Sequence, residues 1–371
     1  MTAPPGLLGP LDALAAHSDA LAWAVVAAFA LGVALEAAER TDAAVWTGAG
    51  AWVLFGVFWL SVFPEFALEM RSPIEGTLSL LAVPACLSTA YLLLSGRRSL
   101  LVLSRAVAFM GLIYLPVETV PVVRQVLIET VATQTEALMA VVGRHPEVGT
   151  GPDYGYRNAF TFVGPDGARR STYIVTACTG IGSISIFGGL VASVRAPLAR
   201  RARALAVAVG VVWVLNLCRN AFIAVAYGEQ WFQQGVLVGF VTANVHPDPG
   251  YTSYFVADRV VAQTLSVVAL VGVTWLVVRE VPEVLAVLEE ALYALTRRAF
   301  DLGATLGVGG SPTGDGPTPE TGRDAGAGTG GSPSSDPTGD PTSGDPPGAS
   351  RSSDPPADGP EREVSTESGG D

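Results

Sequence analysis

The chain has 371 residues, 49% of them apolar, with a mean hydropathy of +0.41 and a formal net charge of −12. Charge-poor runs recur from Leu21 to Val278, each near the roughly 20 residues that cross about 30 Å of hydrocarbon, which excludes an ordinary soluble domain. All 22 basic residues are arginine, and residues 301–371 hold 13 acids against Arg323, Arg351 and Arg362, so the acidity belongs to the tail and no nucleic-acid partner is expected.

Taken in chain order, seven runs predict spanning helices, at 21–38, 43–63, 77–95, 100–121, 172–194, 205–227 and 254–278. After the fourth, residues 122–142 set Val123, Val126, Leu127, Val131, Leu138 and Val141 among Arg124, Gln125, Glu129, Thr133 and Glu136. That spacing predicts an amphipathic helix, on the membrane surface or capping the bundle. Residues 283–300 repeat the pattern with Val284, Leu288, Leu292 and Leu295. No basic segment precedes the first run, so no cleavable signal peptide is expected. From 301 the chain turns to Gly, Pro, Ser, Thr and Asp with almost nothing to bury, the composition of disorder. The expected fold class is all-α: a polytopic membrane helix bundle of about seven transmembrane helices over residues 1–300, then a disordered acidic cytoplasmic tail over 301–371.

Arginine placement sets the orientation. Arg195, Arg200, Arg201 and Arg203 separate the fifth and sixth runs, Arg97 and Arg98 the third and fourth, and Arg279, Arg297 and Arg298 follow the seventh. The positive-inside rule makes these segments cytoplasmic and the N-terminus external. Residues 143–171, with Arg144, Arg157, Arg169 and Arg170 only partly balanced by Glu147, Asp153 and Asp166, then lie outside against the trend.

Three cysteines, Cys86, Cys178 and Cys218, sit inside apolar runs without CxxC or metal-ligand spacing, which argues against a disulfide framework, a zinc site or any other cofactor. Charges inside the runs are few, and each costs at least about 2.5 kcal/mol in a bilayer. Asn216, Arg219 and Asn220 share one face of the sixth run, at i, i+3 and i+4. At 1.5 Å per helical residue, Cys178 lies about 9 Å, Arg219 about 12 Å and Arg259 about 8 Å from the same outer edge. Fixed positive charge beside a thiol favours the nucleophilic thiolate, and guanidinium donors suit an oxyanion formed on a carbonyl. Plainer readings stand beside these: Cys86 and Cys218 as packing residues, Gly180, Gly182, Gly188 and Gly189 as permitting close helix contact, and Arg259 with Asp258 as an interfacial ion pair. His246, in the loop between the sixth and seventh runs, is either a proton shuttle or a loop residue.

The segment Thr176-Ala-Cys178-Thr-Gly180-Ile, the segment Asn216-Leu-Cys-Arg219-Asn220 and the later Arg259 resemble the archaeosortase/exosortase family in order and approximate spacing, over residues 20–280. The third position is arginine as on the archaeal branch, where bacterial relatives carry histidine. The resemblance implies a plasma-membrane cysteine transpeptidase with its active site at the extracellular face. It implies Cys178 as nucleophile, Arg219 as proton donor and Arg259 as transition-state stabiliser. The implied partners are C-terminal sorting signals of exported surface proteins, each a Pro-Gly-Phe-type motif, a hydrophobic helix and a basic end, with a membrane lipid as acceptor. Because an arginine keeps its proton to about pH 12, the physical reading gives Arg219 electrostatic and orienting work. Water or His246 then carries protons, and Asn216 and Asn220 support. The rival is a polytopic transporter or channel in which Arg219 and Arg259 bind an anion. The absence of an inverted repeat and the confinement of charge to the outer third argue against it.

Overall fold

The computed structural model describes residues 14–69, 73–164 and 166–307. Of the tail predicted over 301–371, only Asp301 to Gly307 falls among them, as a short helix, Leu302–Leu306, capped by the Asp301 carboxylate on the Ala304 N–H. Among the described residues, six helices are long and apolar enough to span a membrane: Ser18–Ala37, Thr41–Ala67, Glu75–Leu94, Arg98–Thr119, Leu198–Gly228 and Tyr251–Glu280. We number the α-helices in chain order: α1 (Ser18–Ala37), α2 (Thr41–Pro64), α3 (Pro73–Leu94), α4 (Leu101–Thr119), α5 (Pro121–Val141), α6 (Ile181–Ser193), α7 (Leu198–Gly228), α8 (Gly235–Asn244), α9 (Tyr251–Phe255), α10 (Gln263–Glu280) and α11 (Leu285–Thr296). A π-helical turn, Val256–Ala262, joins α9 to α10 without a break.

The helical bundle agrees with the expected class, and the difference from seven spans lies at 172–194. There Arg169–Tyr173 is a strand, Thr176–Thr179 a 3₁₀ turn, and only Ile181–Ser193 is α-helix. The β-branched and aromatic run Thr172-Tyr-Ile-Val favours extended backbone, and Gly180, at φ +78°, occupies a left-handed conformation that ends the turn before the helix starts. Thirteen residues of helix cover roughly 20 Å, short of a bilayer core. One face of the helix packs against protein, with Phe187 and Val191 buried, while Ile186 is exposed. A Cβ on Gly189 would stand 2.5 Å from the Ala106 carbonyl oxygen, so the α4 and α6 backbones approach directly there.

The charged segment 143–171 also contains structure that the helical reading lacked: an antiparallel sheet, β1 (Glu147–Thr150), β2 (Arg157–Val163) and β3 (Arg169–Tyr173), in spatial order β1-β2-β3. Arg170 donates to Asp166 at 2.8 Å across the β2–β3 connection. That guanidinium holds the Asp166 carboxyl well below the usual carboxylate range. The helix predicted over 122–142 forms, but Ile128, Val131, Ala132, Thr135 and Met139 are its buried face, packed with Phe160 and Ile174, while Val126 and Val141 are exposed. The second amphipathic segment buries Val284, Leu285, Val287 and Ala294 and leaves Leu295 exposed.

One end of the bundle gathers the arginine-rich segments in ion pairs: Arg105–Glu36 (3.1 Å), Arg98–Asp42 (2.7 Å), Arg97–Glu290 (2.8 Å), Arg200–Glu283 (2.5 Å) and Arg203–Glu280 (3.0 Å). The three segments expected on one side thus share one end.

Candidate active site

The Cys178 turn is built from its backbone outward. Its N–H donates to the Val175 carbonyl at 2.8 Å, and the Thr179 hydroxyl donates to the Thr176 carbonyl at 2.6 Å. The Cys178 carbonyl accepts two amides from α7, Asn216 Nδ2 at 2.5 Å and Asn220 Nδ2 at 2.8 Å. One helical face therefore fixes the turn by a fork of two donors, four residues apart. Asn220 is buried and Cys178 half-buried, against the cluster that contains Ile174, Ala221 and Ala224. Gly180 is close under the same face, its absent Cβ 3.4 Å from Asn216 Cγ and 3.4 Å from Val212 Cγ1.

Arg219 lies between these asparagines in sequence, and its guanidinium turns to the widened turn of the last long helix. Its Nη2 meets Asp258 Oδ1 at 2.5 Å, and Arg259 Nε stands 3.5 Å from Asp258 Oδ2. Asp258 is buried, while the Arg259 side chain is 69% exposed. One carboxylate thus bridges guanidiniums from two helices and leaves the trio a net positive charge. A π-helical turn re-aims its side chains relative to ordinary winding and recurs at functional sites.

A cavity of about 380 Å³ is lined by Thr176, Ala177 and Gly180 on one side and Asn216, Arg219 and Gln263 on the other. A second, of about 290 Å³, continues from Arg219 and Ser183 along Leu215, Leu265 and Val273. Arg219 and the residues flanking Cys178 face one space; the Cys178 side chain itself is not among the lining residues of either cavity. Cys178, Asn216, Arg219, Asn220, Asp258 and Arg259 sit toward the ends of α6, α7 and α9–α10 that are remote from the arginine-rich end.

Of the sequence-predicted residues, Cys178, Asn216 and Asn220 touch directly, and Arg219 and Arg259 meet through Asp258. His246 is not brought among them. It is exposed in the α8–α9 connection, its Nδ1 accepts the Asp248 N–H at 3.2 Å, and its ring lies 4.7 Å from Tyr251. Tyr251 in turn lies 5.4 Å from Tyr254, which stands one helical turn before Asp258 on the same continuous helix. Cys86 is buried between helices, and Cys218 lines the second cavity. Among the described residues, no three His, Cys, Asp or Glu side chains converge as a metal site would need.

Sequence reasoning had Asp258 only as a neighbour of Arg259 and did not single out Tyr254. An isolated acid in an apolar run is itself a signal of a partner. Its pairing with Arg219 depends on the π winding, which no hydropathy pattern reveals.

The sequence profile of the transmembrane exosortase family matches residues 15–256, a stretch that contains Cys178, Asn216, Arg219, Asn220 and His246 and stops before Asp258 and Arg259. The archaeosortase A of Haloferax volcanii is 46% identical over 306 residues, covering 78% of this chain and 98% of that protein. The archaeosortase A of Natronomonas pharaonis is 49% identical over 281 residues, 74% of this chain and 88% of that protein. No solved structure matches the chain.

Proposed function

The chain belongs to the transmembrane exosortase family and is a multi-pass membrane protein, and from that premise we propose that it is a cysteine transpeptidase that processes the C-termini of exported proteins. The observation that carries this reading is the meeting of three separate elements. The cysteine turn hangs on Asn216 and Asn220, and the arginine between them shares Asp258 with Arg259. A packing cysteine and a chance ion pair would not require that shared scaffold.

In this reading Cys178 Sγ, as thiolate, attacks the carbonyl carbon of the scissile amide. Arg219 and Arg259 supply fixed positive charge where the oxyanion forms, worth most where water is excluded. The C–N bond then breaks, the signal leaves as an amine carrying a proton taken from water, and the substrate remains as a thioester on Cys178. An amine of a membrane lipid, or water, attacks that thioester, breaks the C–S bond and restores the thiol. The thioester retains the acyl activation, so transfer needs no nucleotide. Asn216 and Asn220 position the turn, and Asp258 orients Arg219. His246 is the candidate for passing protons along Tyr251 and Tyr254. The substrate signal is of the Pro-Gly-Phe type followed by a hydrophobic helix and a basic end. The site faces outward from the plasma membrane, with the arginine-rich end in the cytoplasm.

The test is the mass of the C-terminus of a surface protein from cells with and without this gene. Loss of a C-terminal segment and gain of a lipid mass only when the gene is present supports the reading; identical termini overturn it.

A further inference from the structure

β3 is an edge strand among the described residues, with β2 on one side and no strand on the other. Ladder parity fixes which of its backbone groups are free. The Ile174 N–H donates to the Asn158 carbonyl at 2.9 Å, the Gly164 N–H donates to the Ala168 carbonyl at 2.8 Å, and the pairs Phe160↔Thr172 and Phe162↔Arg170 lie between them. Bonded pairs alternate along an antiparallel ladder. Arg170, Thr172 and Ile174 therefore direct their main-chain groups to β2, and Arg169, Ser171 and Tyr173 direct theirs outward.

The two edges of this sheet are treated differently. β1 carries a register shift between Gly149 and Thr150, the kind of bulge that spoils an edge for further pairing. β3 keeps an unbroken register from Arg169 to Tyr173 and has neither proline nor charge at Ser171 and Tyr173. The Ser171 hydroxyl is occupied by Thr161 at 2.7 Å, and the Tyr173 side chain is exposed. The strand then leads through Ile174 to Val175, whose carbonyl accepts the Cys178 N–H. The unpaired edge thus runs straight into the turn of the candidate nucleophile.

We propose that Ser171 and Tyr173 bind the extended segment preceding the scissile bond of the substrate as a fourth, added strand, delivering that bond to Cys178. This rests on the processing reading above. Strand addition takes its affinity from main-chain hydrogen bonds and makes few demands on side chains, which suits an enzyme serving many exported proteins. The partner is a peptide in extended conformation.

The experiment uses the full-length protein in lipid and a synthetic peptide spanning a cleavage site mapped by the mass measurement, N-methylated at one backbone amide at a time upstream of the cut. We expect KM to rise about three- to tenfold, the loss of one hydrogen bond, at every second amide, with kcat nearly unchanged. Tyr173→Pro removes an outward N–H together with an exposed ring, at a position where an edge strand tolerates proline, and should raise KM of the unmodified peptide by a similar factor, whereas Tyr173→Ala, which keeps the N–H, should not. If that variant does not fold, the peptide series on the unaltered protein decides alone. Equal tolerance at all positions, or a penalty without alternation, overturns strand addition and leaves the processing reading standing. Failure of the unaltered protein to cleave the unmodified peptide overturns both.

Discussion

Arg219 on α7 and Asp258 on the π-helical turn share a 2.5 Å hydrogen bond, and the second oxygen of the same carboxylate faces Arg259. Asp258 is therefore the joint between two helices that otherwise bring only positive charge to the site. Asp258→Asn leaves Arg219 uncompensated in a largely buried setting. Breaking such a pair costs about 3–5 kcal/mol, with the Arg259 share near zero because that side chain is mostly exposed. Processing, normalised to the amount of protein in the membrane, should fall at least about tenfold, and Asp258→Glu should recover part of it. Full processing by the asparagine variant would show that the carboxylate does not hold the site.

Cys178→Ser nearly preserves volume and replaces the thiol with a hydroxyl that has no adjacent base. The variant should accumulate normally yet leave its substrates uncleaved on immunoblots of surface proteins. Cys86→Ser and Cys218→Ser should retain activity, Cys86→Ser with some loss of stability because the residue is buried. Substantial processing by Cys178→Ser would remove the nucleophile from the proposal.

Gly180→Ala tests the turn without touching a reactive group. Its φ of +78° costs an L-residue about 1–2 kcal/mol, and the added methyl meets Asn216 Cγ and Val212 Cγ1 at 3.4 Å. Relief of that crowding displaces the turn from the asparagine fork. We expect a several-fold drop in kcat in membranes with a fall of only a few degrees in the thermal midpoint of the purified protein. A large fall in midpoint with normal kcat would make the glycine purely structural.

Orientation is checked by labelling. A cysteine placed at Arg201 should resist an impermeant maleimide in intact cells, and one placed at Asn244 should react. The opposite pattern would invert the topology and move the site to the cytoplasmic face.

Deletion of residues 308–371 should leave processing intact, because the helices that carry the site are complete before them. Loss of processing at undiminished abundance would assign that segment a docking or regulatory role.

Apolar run length made the long helices legible, and the 3.6-residue period placed Asn216, Arg219 and Asn220 on one face before any coordinates. The cysteine turn was not legible because Thr172-Tyr-Ile-Val is equally apolar as strand or helix, so a hydropathy window merges strand, turn and short helix into one span. The sheet was hidden by Glu147, Arg157, Asp166, Arg169 and Arg170, whose charges obscure the alternation between Ala159, Thr161 and Val163 on one face and Phe160 and Phe162 on the other. In α5 the apolar pattern mixed the exposed Val123, Val126 and Val141 with Val131, the one named valine on the true packing stripe of Ile128, Val131, Ala132, Thr135 and Met139. Side-chain pairing across helices, as between Arg219 and Asp258, lies beyond any one-dimensional pattern.

The widened turn Val256–Ala262 amounts to one residue more than regular α winding would hold. Removing a single residue there, Val260 for instance, would let the segment relax into an uninterrupted α-helix that is still long and apolar enough to span a membrane. The helix on either side would keep its phase, and only the side chains inside the turn, Asp258 and Arg259 among them, would be re-aimed relative to Arg219. The extra residue is therefore what aims Asp258 at Arg219, and a one-residue deletion, harmless to insertion in the membrane, would part that pair while leaving the helix on both sides in place.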